Sequence, residues 1–102
     1  MAENVAYRSL VDELLADADV REGKMMGAPA LMLGKKMFAG LYRDELIVKI
    51  GRDRVADLIE AERAQVFDPS GAGRPFKDWA QVPEPPDDWL ALAEEAKALA
   101  RE

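Results

Sequence analysis

The stretch from Lys24 to Ile50 constrains the fold more than any other part of the sequence. Its apolar residues occur in short runs, and turn signals such as Gly34-Lys35 and Arg43-Asp44 separate one run from the next. Runs of this kind between turn residues are typical of antiparallel strands joined by tight hairpins. We therefore expect a meander of four strands, the first of which is Val20–Met26. The pattern indicates a fold and does not reveal a reaction.

The segments on either side of this block have helical periodicity. The first predicted helix runs from about Glu3 to Ala18, and the second from Arg52 to about Ala64. A third helix is expected after the Pro-rich connector, capped by Asp87 or Asp88. The apolar stripe of the first helix comprises Tyr7, Leu10, Val11, Leu14, Leu15 and Ala18. Such a stripe predicts that each helix packs one face on the sheet.

Two further segments are expected to be extended. Gln65–Phe67 is a candidate fifth strand, and residues 74–82 are extended with Phe76 and Trp79 as their apolar anchors. Strands grouped together with helices outside them favour an α+β fold over a doubly wound α/β sheet. We predict a single domain over residues 1–102: an antiparallel meander sheet of four to six strands with an N-terminal helix, a middle helix and a C-terminal helix.

The composition excludes several classes of chemistry. The sequence contains no Cys and no His, so disulfides, thiolate nucleophiles, Cys/His zinc sites and histidine-based catalytic relays are excluded. The acidic pairs Asp87-Asp88 and Glu94-Glu95 are neighbours in sequence and do not face each other on a helix. We therefore predict a protein that is not an enzyme, with no catalytic residue, no cofactor and no metal.

The sequence has no segment that predicts export or insertion into a membrane. The first residues lack a basic region followed by an apolar one, and no apolar run approaches the roughly 20 residues that span a bilayer. A cytoplasmic location with no membrane partner is the resulting expectation.

Charge is unevenly distributed along the 102 residues, which carry a net charge of -6. Residues 21–54 carry eight basic and four acidic side chains, a balance of +4. The predicted sheet is therefore basic, whereas the flanking helices are acidic. An acidic protein repels polyanions at long range, which argues against nucleic-acid binding. The simplest interpretation is that the charges of sheet and helices attract one another.

Basic residues of the sheet nevertheless define a candidate surface for an anionic partner. Its members are Lys24, Lys35, Lys36, Lys49, Arg74 and Lys77. With Phe76 and Trp79 nearby, they could bind single-stranded nucleic acid, whose bases stack on aromatic side chains in basic grooves. The alternative places Phe76 and Trp79 in the core and the cations on solvated strand faces. The sequence leaves both interpretations open.

The residues from Met37 to Tyr42 suggest a further interface. Strict alternation places Met37, Ala39 and Leu41 on one face of the sheet and Phe38 and Tyr42 on the other. Three short helices cannot easily cover two apolar faces, so we expect a homodimer or another protein partner. The candidate apolar interface consists of Met37, Phe38 and Tyr42.

Four segments together resemble the TfoX N-terminal domain family, also called TfoX/Sxy-like proteins. They are Lys24-Met25-Met26-Gly27, then Gly34-Lys35-Lys36-Met37 followed by Gly40, then residues 44–51, and finally Gly73-Arg74-Pro75-Phe76-Lys77. The resemblance extends from about Tyr7 to Arg101. The family is named for regulators of natural competence, whose full-length members resemble this sequence only in their N-terminal half and continue into a separate C-terminal domain. The resemblance implies a stand-alone, non-enzymatic binding or regulatory domain.

Overall fold

Helices and strands follow one another in the predicted order. The computed structural model describes residues 4–25, 27–68, 76–84 and 86–102. The helices in these ranges are α1 (Val5–Leu14), α2 (Arg52–Glu60) and α3 (Trp89–Ala100), with a short 3-10 turn at Pro86–Asp88. The strands are β1 (Val20–Met25), β2 (Ala28–Leu33), β3 (Lys36–Tyr42), β4 (Glu45–Lys49), β5 (Gln65–Phe67) and β6 (Phe76–Val82). The α+β prediction is confirmed.

All described strands belong to one antiparallel sheet in the order β1-β2-β3-β4-β6-β5. The first four strands form the predicted meander. The chain then passes through α2 to β5 at the edge and returns as β6, which pairs with both β4 and β5. Residues 69–75 connect these two strands and lie outside the described ranges, so the predicted extension of residues 74 and 75 lies outside them too.

The two predicted hairpin turns have the backbone geometry that such turns require. Gly34 has φ 63°, and Arg43 and Asp44 have φ 51° and 63°. Two successive residues with positive φ, as at Arg43-Asp44, are characteristic of the type I′ turn, and Gly with positive φ at the first turn position, as at Gly34-Lys35, is characteristic of type II′. Asp tolerates this conformation better than most residues, because its short side chain can form local hydrogen bonds.

Helices α1 and α2 are shorter than predicted. The second helix ends at Glu60 because Glu62 adopts the left-handed conformation, with φ 59°. The amide of Arg63 donates to the Leu58 carbonyl at 2.9 Å, and that of Glu62 to the Ile59 carbonyl at 3.0 Å. This pair of bonds is the Schellman motif, which satisfies the last carbonyls of a helix. Left-handed Glu is uncommon, and neither Gly nor Asn stands at this position to indicate the end of the helix.

The main core lies between the helices and one face of the sheet. The predicted stripe of α1 is confirmed at Tyr7, Leu10, Val11 and Leu14, all buried. Trp89, Leu92, Ala93 and Ala96 of α3 and Val55 and Leu58 of α2 join the same cluster. Sheet residues complete it, including Leu31, Ala39, Leu46, Val48, Ala80 and Val82. We call this side of the sheet the helix-covered face.

A group of ion pairs links the end of α3 to the segment between α1 and β1. The Asp17 carboxylate accepts a hydrogen bond from the Asp19 amide at 3.0 Å and from the Arg101 guanidinium. The Lys97 ammonium lies 3.4 Å from the same carboxylate. The Asp19 amide, followed by Arg101 and Lys97, lowers the pKa of Asp17 to about 2 from its ordinary value of 3.8.

We expect this cluster to make stability depend on pH in the acid range. Above about pH 4 the Asp17 carboxylate is ionised in both folded and unfolded chains, so its stabilising effect is complete. Between about pH 4 and pH 2 the unfolded chain takes up a proton that the folded chain does not, so stability falls. Urea unfolding measured from pH 7 to pH 2 should show that the free energy of unfolding falls less on acidification in Asp17→Asn than in the wild type. Glu60→Gln, an exposed carboxylate of α2, is the control and should follow the wild type.

Candidate functional site

The second face of the sheet has its own small apolar cluster. Ala30, Ile47 and Phe67 are buried but do not belong to the helix-covered core. Strand register accounts for this: Ile47 pairs with Gly40 and with Gln81, whereas Leu46 and Val48, one residue away on either side, point to the helices. No described helix packs on this side, which we call the helix-free face.

Phe67 lies at the centre of an aromatic cluster on the helix-free face. Its ring is 5.2 Å from that of Tyr42, 5.6 Å from that of Phe76 and 6.4 Å from that of Trp79, measured between centroids. The Tyr42 and Phe76 contacts are edge-to-face, the arrangement that the ring quadrupoles favour. Strands β4 and β6 separate β5 from β3 in the sheet. The sheet must therefore curl strongly for Phe67 and Tyr42 to touch.

The outer rings of this cluster remain accessible. Phe67 is fully buried, but Phe76 is 44% exposed and Tyr42 and Trp79 are half-buried. The interpretation that placed both Phe76 and Trp79 in the core is therefore wrong for Phe76. We call Tyr42, Phe76 and Trp79 the aromatic surface. Rings supported from below by a buried ring are held in place, which lowers the entropy lost when they bind a partner.

Charged side chains flank the aromatic surface. The Arg43 guanidinium lies over the Tyr42 ring, 5.2 Å from its centroid. Lys49 pairs with Trp79 across the strands, and Lys77 follows Phe76 in β6. These three cations are exposed, and none forms an ion pair with a described residue. The arrangement suits a ligand that combines apolar or aromatic groups with negative charge.

The predicted basic residues do not form one continuous surface. Lys49 and Lys77 are near Trp79, whereas Lys24 lies on the edge strand β1 opposite Pro29. Lys35 is in the β2–β3 turn, and the Lys36 ammonium donates to the Ala100 carbonyl of α3 at 3.2 Å. The remaining member, Arg74, lies outside the described residues.

The predicted placement of Phe38 is wrong. Register between β2 and β3 passes from the pair Leu31–Ala39 to the pair Met32–Met37, so Phe38 is an extra residue in its strand. Such a bulge turns two successive side chains toward the same face. Phe38 therefore joins Ala39 in the helix-covered core, fully buried, and is not available to a partner. Tyr42 does lie on the opposite face, as predicted, and Met37 is half-buried opposite Met32.

Two described titratable groups, Tyr7 and Asp17, have strongly shifted pKa values. Tyr7 is buried in the helix-covered core, where burial and the nearby Glu22 carboxylate raise its pKa. Tyr7 and Asp17 both lie away from the aromatic surface. Within the described ranges, no three acidic side chains are grouped so that they could hold a metal ion. None of the helices in these ranges has the length and apolar character needed to cross a membrane.

Comparison with known proteins identifies the family. The model of the TfoX N-terminal domain matches residues 5–102. Comparisons with curated proteins and with solved structures gave no significant match. The match includes the aromatic surface and all the described helices and strands. Because it extends over essentially the whole sequence, the chain belongs to the TfoX N-terminal domain family.

Proposed function

We propose that this chain is a non-enzymatic binding domain that forms a homodimer through the aromatic surface, in the regulatory setting that its family suggests. The observation that carries the proposal is Phe76, which is 44% exposed while its ring packs edge-on against the fully buried Phe67. Aromatic side chains are enriched in protein interfaces and often provide most of their binding energy. A second copy would remove Phe76 and its neighbours from water.

The charges beside the aromatic surface favour a second copy as the partner. At the β3–β4 turn the sheet carries Asp44 and Glu45 against the single cation Arg43, and at the opposite end of β4 it carries Lys49, with Lys77 on the adjoining strand. A twofold axis that lies between two such faces and perpendicular to their strands reverses the strand direction. The acidic end of each copy then meets the basic end of the other. An isologous interface of this kind is self-complementary.

The oligomeric state tests the proposal directly. We expect sedimentation equilibrium at concentrations up to about 100 μM, where a micromolar dimer is well populated, to give twice the 11.3 kDa mass of the chain. Phe76→Glu should weaken the dimer at least about tenfold, because it places a charge in an apolar contact. Ile59→Glu is the matched control: Ile59 is also 44% exposed but lies on α2. A monomeric wild type, or equal effects of the two variants, would contradict the proposal.

Single-stranded nucleic acid is the second candidate, favoured by the Arg43 guanidinium over the Tyr42 ring and by Lys49 and Lys77, which form no ion pair with any described residue. A fluorescent oligonucleotide of about ten residues, a length within the usual site sizes, is a suitable probe. Binding should weaken steeply with salt and should weaken further in Lys77→Glu. Lys24→Glu makes the same charge change on the distant edge strand and should bind like the wild type. Equal losses of oligonucleotide affinity in both variants would indicate nonspecific electrostatic attraction and would contradict a binding site at the aromatic surface.

A further inference from the structure

The bulge at Phe38 also opens a gap between β3 and β4. Pairing between these strands ends at Ala39 and Val48, although β3 begins at Lys36 and β4 continues to Lys49. The last turns of α3 pass beside this gap. A cavity of about 220 Å³ results, lined by Lys36, Met37, Phe38, Lys49, Ala96, Leu99 and Ala100. It brings together four residues that the sequence predicted for an anionic or apolar partner.

The cavity is apolar inside and basic at its opening. Phe38 and Ala96 are almost completely buried and form its inner wall, whereas Leu99 is 39% exposed. The two lysines are exposed, and no Asp or Glu is among the described residues that line the cavity. Apolar walls with a few convergent polar groups are the usual composition of small-ligand sites.

Lys36 is positioned to bind a carboxylate. Its ammonium donates to the Ala100 carbonyl at 3.2 Å, which holds the flexible side chain beside the cavity. An ammonium has three N–H donors, so two remain for a ligand. The charge of Lys36 also offsets the negative end of the α3 dipole, which would otherwise repel an anion. Lys49 adds a second cation that has no ion-pair partner among the described residues.

The volume limits the size of the ligand. A cavity of about 150 Å³ accommodates a benzene molecule. The present cavity is somewhat larger, so it can take a short alkyl chain or one ring while the charged group stays outside. We infer that the cavity binds a small amphipathic monocarboxylate of the medium-chain fatty acid class, with its alkyl chain against Met37 and Leu99 and its carboxylate at Lys36 and Lys49. This inference does not rest on the proposed dimer, and Lys49 is the one residue that both proposals use.

Titration of the full chain with sodium octanoate, followed by amide chemical shifts, tests this inference. We expect saturable shifts at Met37, Leu99 and Ala100 at octanoate concentrations below micelle formation. The double variant Lys36→Gln/Lys49→Gln should bind octanoate at least tenfold more weakly. Octan-1-ol, which has the same chain without the charge, should bind wild type and double variant equally weakly.

The control is Lys35→Gln, which removes a cation next to Lys36 that does not line the cavity. Its affinity for octanoate should equal that of the wild type. Absence of saturable shifts at the cavity would overturn the inference, and so would equal losses in Lys35→Gln and the double variant. Octanol binding as tight as octanoate would also overturn it, since it would show an apolar pocket without charge recognition. The amide spectra of both variants report whether they remain folded.

Discussion

Phe67→Ala is expected to lower the free energy of unfolding by about 3–5 kcal/mol, the usual loss when a buried aromatic side chain is truncated. Phe67 is fully buried although no described helix packs on its side of the sheet. Its ring contacts Tyr42, Phe76 and Trp79, so truncation leaves a cavity and removes three aromatic contacts at once. Urea denaturation at pH 7, monitored by circular dichroism, measures the change.

Phe76→Ala is the matched control for this prediction. Phe76 belongs to the same cluster and has the same side chain, but it is 44% exposed. Its truncation should therefore lower the free energy of unfolding by about 1 kcal/mol or less, because a partly exposed ring buries less apolar area on folding. Together the two variants distinguish a ring that stabilises the fold, Phe67, from a ring that we propose to contribute to binding, Phe76. Similar losses of stability in both would show that the aromatic surface is part of the core.

The helices and the first hairpins could be predicted because their signals are local. Apolar residues of α1 recur with helical spacing, and this stripe is buried as predicted. The turns at Gly34 and at Arg43-Asp44 lie where short apolar runs end. Each of these features depends on residues a few positions apart, so local sequence patterns are sufficient to predict it. The ends of α1 and α2 were harder, since no Gly or Pro stands there.

The position of β6 and the bulge at Phe38 could not be predicted in this way. β6 lies between β4 and β5 in the sheet. Other strand orders fit the same local sequence patterns equally well, so the sequence does not indicate this one. The bulge breaks the alternation on which every assignment to a face depends, and one extra residue moved Phe38 into the helix-covered core. A one-residue change of register moves a side chain to the other face of a sheet. The prediction for Phe38 was wrong because it assumed strict alternation of side chains along β3.

The candidate site was only partly visible in the sequence. Tyr42, Lys49 and Lys77 were predicted as partner-binding residues, and the structure places all three beside the aromatic cluster. Phe67 was missed because it lies in a three-residue strand, too short for its pattern to indicate a face. Arg43 was treated as a turn residue, and its stacking on Tyr42 follows from the turn geometry. A curl that joins distant strands has no local sequence signal.

Gly40→Ala is expected to destabilise the fold by about 1–3 kcal/mol, the usual effect of forcing extra atoms into a packed interior. A Cβ on Gly40 would lie 2.8 Å from the Pro29 carbonyl oxygen and 3.4 Å from two carbons of Ile47. The oxygen belongs to the backbone of β2, and Ile47 is fully buried, so neither can move aside easily. The tight approach of β2 to β3 in the centre of the sheet thus requires a residue without a side chain.

Gly23→Ala provides the comparison that identifies the cause. A Cβ there would also lie 2.8 Å from its nearest neighbour, but that neighbour is the sulfur of Met32. The thioether is flexible and half-buried, so it can rotate away at little expense. Thermal unfolding of both variants should show a clearly larger loss for Gly40→Ala. If Gly23→Ala were the more damaging change, the edge pair β1–β2 would be the more rigid part of the sheet, and the close contact between Gly40 and Pro29 would not limit packing.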